Sequence, residues 1–213
     1  MFRTLFAKGV CFLLSAFLIS GAAAQTSREF RADHTVGVDL GLSLVSLPFP
    51  GSKGAAVNFN LSDQWQLGLS YMNSGFEVNF SKLKLAGFKE RHAGLVLRRF
   101  FGNSFNLSGA YVYRSNEVFL DPEIYNIPVT DQGFRTEAET HMAQLGISNH
   151  WQFDNWSMAV DWITLTLPLS GEVTQSVQER VSEGDRDTVR RAENVLTWYP
   201  NLALATLRVG YMF

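Results

Sequence analysis

The chain has 213 residues, with 18 Lys and Arg against 20 Asp and Glu, a formal charge of −2, and one cysteine. Such a balance offers no basic footprint for nucleic acid, and a single cysteine excludes a disulfide framework. Mean hydropathy is near neutral, and no segment has the roughly 20 consecutive apolar residues that a spanning helix needs, so any membrane role falls to strands of period two.

The N-terminus carries Arg3 and Lys8, an apolar run from Val10 to Ile19, and Ala22-Ala23-Ala24 ahead of Gln25. This is the layout of a cleaved secretory signal peptide over residues 1–24. Its apolar run is too short to remain as an anchor. The domain expected to remain, 25–213, loses two basic residues, leaving 16 against 20 acidic ones. Cys11 leaves with the signal, so no thiol nucleophile is expected.

Strands follow in chain order. In His34 to Val45, Val36, Val38, Leu40, Leu42 and Leu44 alternate with Thr35, Gly37, Asp39, Gly41 and Ser43, the period of a strand with one apolar face. Pro48, Pro50 and Gly51 break it. Ala55, Val57, Phe59 and Leu61 then form a second strand and, after Ser62-Asp63-Gln64, Trp65, Leu67, Leu69 and Tyr71 a third. The fourth runs from about His92 to Phe101, and Gly102-Asn103-Ser104 turns it into a fifth carrying Phe105, Leu107, Tyr111 and Tyr113. His141 to Trp151 reads as the sixth. Asp154-Asn155 leads to the seventh, with Trp156, Met158, Val160 and Trp162 on one face. The eighth closes the chain: Ala203, Ala205, Leu207, Val209, Tyr211 and Phe213 alternate with Thr206, Arg208, Gly210 and Met212. Two places break the alternation. Arg99 falls on the apolar parity of the fourth strand, and parity slips between Trp162 and the Leu165, Leu167 pair. A bulge or the end of an apolar zone explains either.

Crossing an apolar band of about 25 Å at a tilt of about 40° takes roughly 10 residues, and the segments have that length. Short turns near Asp63, Asn103 and Asp154 alternate with longer connections over 47–53, 73–91, 115–140 and 168–198. This pattern predicts an all-β fold, an eight-stranded antiparallel up-and-down transmembrane barrel with short periplasmic turns and long extracellular loops. A lipocalin-like soluble barrel has the same period. Against it, the non-apolar face is rich in Gly, Ser, Asn and Thr while most charge lies in the loops. Aromatics also bracket the short turns, and Phe59, Trp65, Phe100, Phe105, Trp151 and Trp156 are expected to form a periplasmic girdle.

Together with the terminal Leu207, Val209, Tyr211 and Phe213, which resemble the insertion signature of bacterial outer-membrane barrels, this layout looks like the small eight-stranded class that contains the OmpA transmembrane domain and the OmpX/Ail family. The resemblance covers the whole expected domain in architecture, and only the C-terminal signature is motif-like. It implies a Gram-negative outer-membrane address and a monomeric barrel. It also implies contact with outer-membrane lipid and lipopolysaccharide, and passage through periplasmic chaperones and the barrel-insertion machinery.

An eight-stranded interior is just wide enough for side chains. Asp39, His92, Arg98, Arg114, His150, Asp161 and Arg208 have inward parity, and buried charges have to pair, so they are expected to form one internal polar network. A narrow ion path or carrier for small molecules is the alternative use. The enzymatic alternative is a lipid A-modifying hydrolase or acyltransferase. Ser148 and His150 share a face but sit near the periplasmic end, whereas His141, with Glu137 and Glu139, lies near the outer rim. Four scattered histidines without cysteine give no metal spacing, and no cofactor is expected. The loop over 168–198 reads as a charged ribbon extending the last two strands, with a short helix through Val177 and Val181 as the other option. Such loops are open to an extracellular protein partner by strand pairing, and Arg186, Arg190 and Arg191 to lipid phosphates. The expected function is non-enzymatic: surface interaction or envelope integrity.

Overall fold

The computed structural model describes residues 27–47, 51–80, 83–120, 134–176, 183 and 186–213. The expected signal peptide, 1–24, and Val177 and Val181 lie outside these residues. A short helix, α1 (27–33), precedes eight strands: β1 Val36–Leu47, β2 Lys53–Asn60, β3 Trp65–Phe80, β4 Leu83–Phe100, β5 Phe105–Leu120, β6 Phe134–Phe153, β7 Trp156–Gln175 and β8 Asn201–Met212. A helix, α2 (Arg186–Trp198), stands between β7 and β8. Each strand pairs antiparallel with the next, and β8 pairs with β1 from Gly37↔Met212 to Leu47↔Leu202, closing the barrel. Closure leaves no strand unpaired on either side over the span all eight share, the requirement for strands away from water, whereas β3 beyond Asn73 and β7 beyond Thr166 pair on one side only.

The alternation has a consistent sense. Leu40, Leu69, Leu95 and Leu145 are outward and exposed, whereas Asp39, Asn58, Gln66, Arg98, Asn106, Arg114 and Arg208 are buried inside. The surface is apolar and the core polar, the inverse of a soluble barrel. The small interior residues make room for this core. A Cβ on Gly210 would collide with Asp39 Oδ1 and lie 2.6 Å from Ser157 Oγ.

The two breaks in alternation have different causes. Arg99 stays in register between Trp65 and Leu107. Its guanidinium lies 5.4 Å from the Trp65 ring centre and 5.1 Å from that of Phe101, so it marks the end of the apolar zone. The slip in β7 is a bulge. Ile147 pairs with Ile163 and Ser148 with Asp161, so Trp162 is the extra residue, and a bulge moves the following side chains to the other face. At the same level, β1 exposes both Leu44 and Val45 and Ala205 in β8 has φ 56°. Beyond it, Leu204 pairs with outward Val45 and Ile163, and Ala203 with buried Ser46. Ala203 therefore does not share the face of Leu207, contrary to the simple count of two.

The longer connections also differ from their reading as loops. β3 and β4 continue pairing up to Phe80 and Leu83, β5 and β6 up to Leu120 and Phe134, and β7 up to Gln175. The expected ribbon is present only as far as Gln175 on the β7 side. On the β8 side the chain forms α2 instead, over residues further along than Val177 and Val181.

Candidate functional site: a polar interior capped at both ends

All seven titratable residues given inward parity by the sequence point into the barrel, but in two clusters. In the half nearer the short turns, Asp39 Oδ2 accepts from Asn58 Nδ2 (2.6 Å) and Arg208 Nη1 (3.4 Å), and Oδ1 from Ser157 Oγ (3.0 Å). Arg208 Nη2 donates to Asp161 Oδ1 (2.8 Å). Arg98 Nη1 donates to Asn58 Oδ1 (2.9 Å) and Gln66 Oε1 (3.0 Å). His150 is buried at the same end with its ring 6.0 Å from that of Phe100.

His92 and Arg114 belong to the other cluster, organised by a residue the sequence reading missed. Glu90 Oε2 accepts from Ser74 Oγ (2.8 Å), while Oε1 accepts from the Tyr199 hydroxyl (2.6 Å) and lies 3.1 Å from His92 Nε2 and 4.0 Å from Arg114 Nη1. Extending β4 parity one step beyond His92 would have found it. Buried Val96, Val112 and Met142 stand between the clusters. Direct hydrogen bonds and ion pairs therefore gather these residues into two clusters, with the apolar side chains that β4, β5 and β6 turn inward between them.

The long-loop mouth is covered by the end of α2. Arg114 Nη2 donates to Thr197 O (2.9 Å) and Nη1 to Tyr199 O (2.9 Å), and its guanidinium lies 3.9 Å from the Tyr199 ring centre. Asn116 Nδ2 bonds Leu196 O (3.0 Å) and Thr140 Oγ1 bonds Thr197 O (3.0 Å). The last carbonyls of a helix lack intrahelical partners and favour a cation. The last turn of α2 has no basic residue, and the barrel wall supplies one. Burial and neighbouring Glu90 raise the Tyr199 phenol, which stays protonated as a donor. Gly171 leaves room for this contact, since a Cβ there would lie 2.6 Å from Thr197 Cγ2.

The short-turn mouth is covered by α1. Arg31 is 2% exposed. Its Nε donates to Asp63 O (3.0 Å), Nη1 to Asn103 O (2.8 Å) and Nη2 to Gly102 O (3.3 Å), over the Phe100 ring at 3.9 Å. One guanidinium thus ties the turn after β2 to the turn after β4. Gly102, at φ 82°, is in the left-handed region that glycine permits. Burial pulls the Arg31 guanidinium down to about 10, with Asp63 opposing, so it is cationic at neutral pH. Between the caps lies a cavity of about 70 Å³ touching Asp39, Ser70, His92, Arg98, Asp161 and Arg208.

Of the expected aromatic girdle, Phe59, Trp65, Phe105 and Trp156 face outward at the short-turn end. Phe100 does not: it points inward, 2% exposed, as the platform under Arg31. Its parity matches Arg98, and counting aromatics near a turn overlooked that. Trp151 has outward parity, paired with Met158, but is 4% exposed and does not present its ring. Leu207, Val209, Tyr211 and Phe213 all face outward, and Phe213 N bonds Val36 O (2.7 Å).

Ser148 Oγ donates to Asn106 Oδ1 (2.6 Å), not to His150, and both Ser148 and His150 are buried. His141 is outward, with Nδ1 on the Tyr111 hydroxyl and its ring between those of Tyr111 and Tyr113. Among the described residues no three His, Cys, Asp or Glu side chains gather as metal ligands.

A closed eight-stranded up-and-down barrel with an apolar exterior and a filled polar core is the architecture of the small outer-membrane β-barrels. Similar solved structures include the N-terminal β-barrel domain of Pseudomonas aeruginosa OprF (12% identity, TM-score 0.45, covering 84% of this chain and 98% of that one). Ail of Yersinia pestis, crystallised with the heparin analogue sucrose octasulfate, is another (10%, 0.48, 84% and 95%), as is Acinetobacter baumannii CarO (13%, 0.41, 84% and 98%). No family model and no curated protein sequence matches the chain.

Proposed function

We propose that the protein is a non-enzymatic, non-conducting barrel of the Gram-negative outer membrane, exported by its N-terminal signal, with its long-loop end serving surface interaction or envelope integrity. The observation that carries this is the double cap. α1 and α2 cover the two mouths, and buried polar side chains such as Asp39, Asn58, Arg98, Arg114 and Arg208 fill much of the space between. The three short turns face the periplasm, α2 faces outward, and Leu207 to Phe213 serve as the insertion signal. The partners are outer-membrane lipid, lipopolysaccharide and the insertion machinery, with an extracellular protein as a further partner of the paired extensions. The engagement of Ser148 by Asn106 supports the non-enzymatic reading, since an acyl-transfer nucleophile needs its base within hydrogen-bond reach.

Planar-bilayer recordings of the purified protein test the reading. The bilayer is expected to stay at baseline, and reproducible single-channel steps would overturn the closed interior. Lipid A mass spectrometry from cells with and without the protein is expected to show one acyl pattern, and a changed pattern would assign an enzyme.

A further inference from the structure

One outward face departs from the uniform apolar wall. On β2, β3 and β4 the cross-strand row Ala55↔Tyr71↔Ala93 sets one large ring between two alanines. The next row toward the short turns, Val57↔Leu69↔Leu95↔Tyr111, forms a floor that ends in a second tyrosine. The result is an open groove of about 510 Å³ along the barrel wall. Successive residues on one face are about 6.6 Å apart along a strand. One such step above the alanines, toward the long loops, lies the row Lys53↔Asn73↔Arg91, all three exposed. Neither cation forms an ion pair among the described residues. Lys89, one step beyond, differs, lying within 4 Å of Glu77 and Glu117.

We propose that this face binds one lipid with a phosphorylated headgroup, seating an acyl chain in the Ala55–Tyr71–Ala93 groove and its phosphate between Lys53 and Arg91. The proposal rests on the membrane reading above. The chemistry of both ends sets the occupant. The groove offers hydrocarbon contact and almost no polar group, and the row above it offers two positive charges at the level where polar side chains replace apolar ones. An arginine fork and a lysine point charge are the two ordinary phosphate ligands. They stand two strand spacings apart, about 10 Å, so they reach one headgroup from either side. A neutral lipid would fill the groove and leave the cations unused. A soluble anion would use the cations and leave the groove empty.

The test uses the full chain in neutral detergent with diphosphoryl lipid A as the probe, and retained lipid counted by native mass spectrometry. The wild type is expected to keep one lipid A. Lys53→Gln with Arg91→Gln is expected to weaken retention roughly 30-fold, from about 1 kcal/mol per surface cation. Ala55→Leu with Ala93→Leu fills the groove, keeps both charges, and is expected to lose retention as well. Retention unchanged in either double variant, or equal retention of lipid A stripped of its phosphates, would overturn the proposal. Heat-dependent migration on a detergent gel separates the two layers of inference. Wild type that fails to shift overturns the membrane barrel itself, whereas shifted samples with equal lipid retention overturn only the lipid site.

Discussion

Two arginines do the same work at opposite ends of the molecule. Arg31 gathers carbonyls from two turns and Arg114 gathers the carbonyls that close α2. Each needs a planar fork, because several acceptors are served by one cation, and a lysine point charge does not reproduce that geometry. Hydrogen bonds to a charged group contribute about 1.5–3 kcal/mol each. Arg114→Lys should therefore raise amide exchange across 186–198 by more than about tenfold while exchange in the barrel strands stays as in wild type; hydrogen exchange by mass spectrometry checks this. Asp39 is the acceptor shared by Asn58, Ser157 and Arg208. Removing one partner of a buried charged group costs about 3–5 kcal/mol, so Asp39→Ala should lower the urea midpoint in detergent, read by tryptophan fluorescence. Parity in β1, β4 and β8 made Asp39, Arg98 and Arg208 legible in the sequence. Glu90 was hidden because the apolar pattern stops at His92, although the strand does not. Arg31 and Tyr199 were hidden because they lie outside any strand, and only tertiary folding returns them to the barrel mouths.

At the scale of elements, short-period alternation located all eight strands but not their ends. Pairing in β3 to β7 continues past the apolar zone, where apolar residues such as Phe88 and Phe119 fall on opposite parities among polar ones, so that a period of two leaves no mark. Bulges were equally veiled. The slip at Trp162 was visible, but its match in β1 and β8 became clear only once the three strands lay side by side. Ala205 sits there at φ 56°. An L-residue in the left-handed region costs about 1–2 kcal/mol, against about 0.5–1 kcal/mol for placing a glycine in a strand. The first cost is the larger, so Ala205→Gly should raise stability by about 0.5–1 kcal/mol, seen as a higher urea midpoint with unchanged slope. α2 was missed for another reason. Its buried side, Glu193 and Thr197, is polar because it packs on a polar core, so an apolar stripe was the wrong signal to seek.

The whole molecule is governed by inversion. Leu40 at 68% exposure and Leu145 at 67% lie outside, and Arg114 and Asn58 are fully enclosed. In water such a surface would be a continuous aggregation hazard, and in hydrocarbon it is the favourable one. The sequence showed this through its small polar residues and loop charges, but it did not show that both ends are shut. The most direct measurement is collision of spin labels with dissolved oxygen, which concentrates in lipid, and with a water-soluble nickel chelate. Single cysteines would replace Leu69, Leu95 and Leu145, or their inward neighbours Ser70, Val96 and Gln144, in a chain lacking Cys11 inserted in bilayers. Labels at the leucines should collide with oxygen and not with nickel, and those at the inward positions weakly with both. Strong nickel collisions at Leu69, Leu95 and Leu145 would place that face in water and contradict the account.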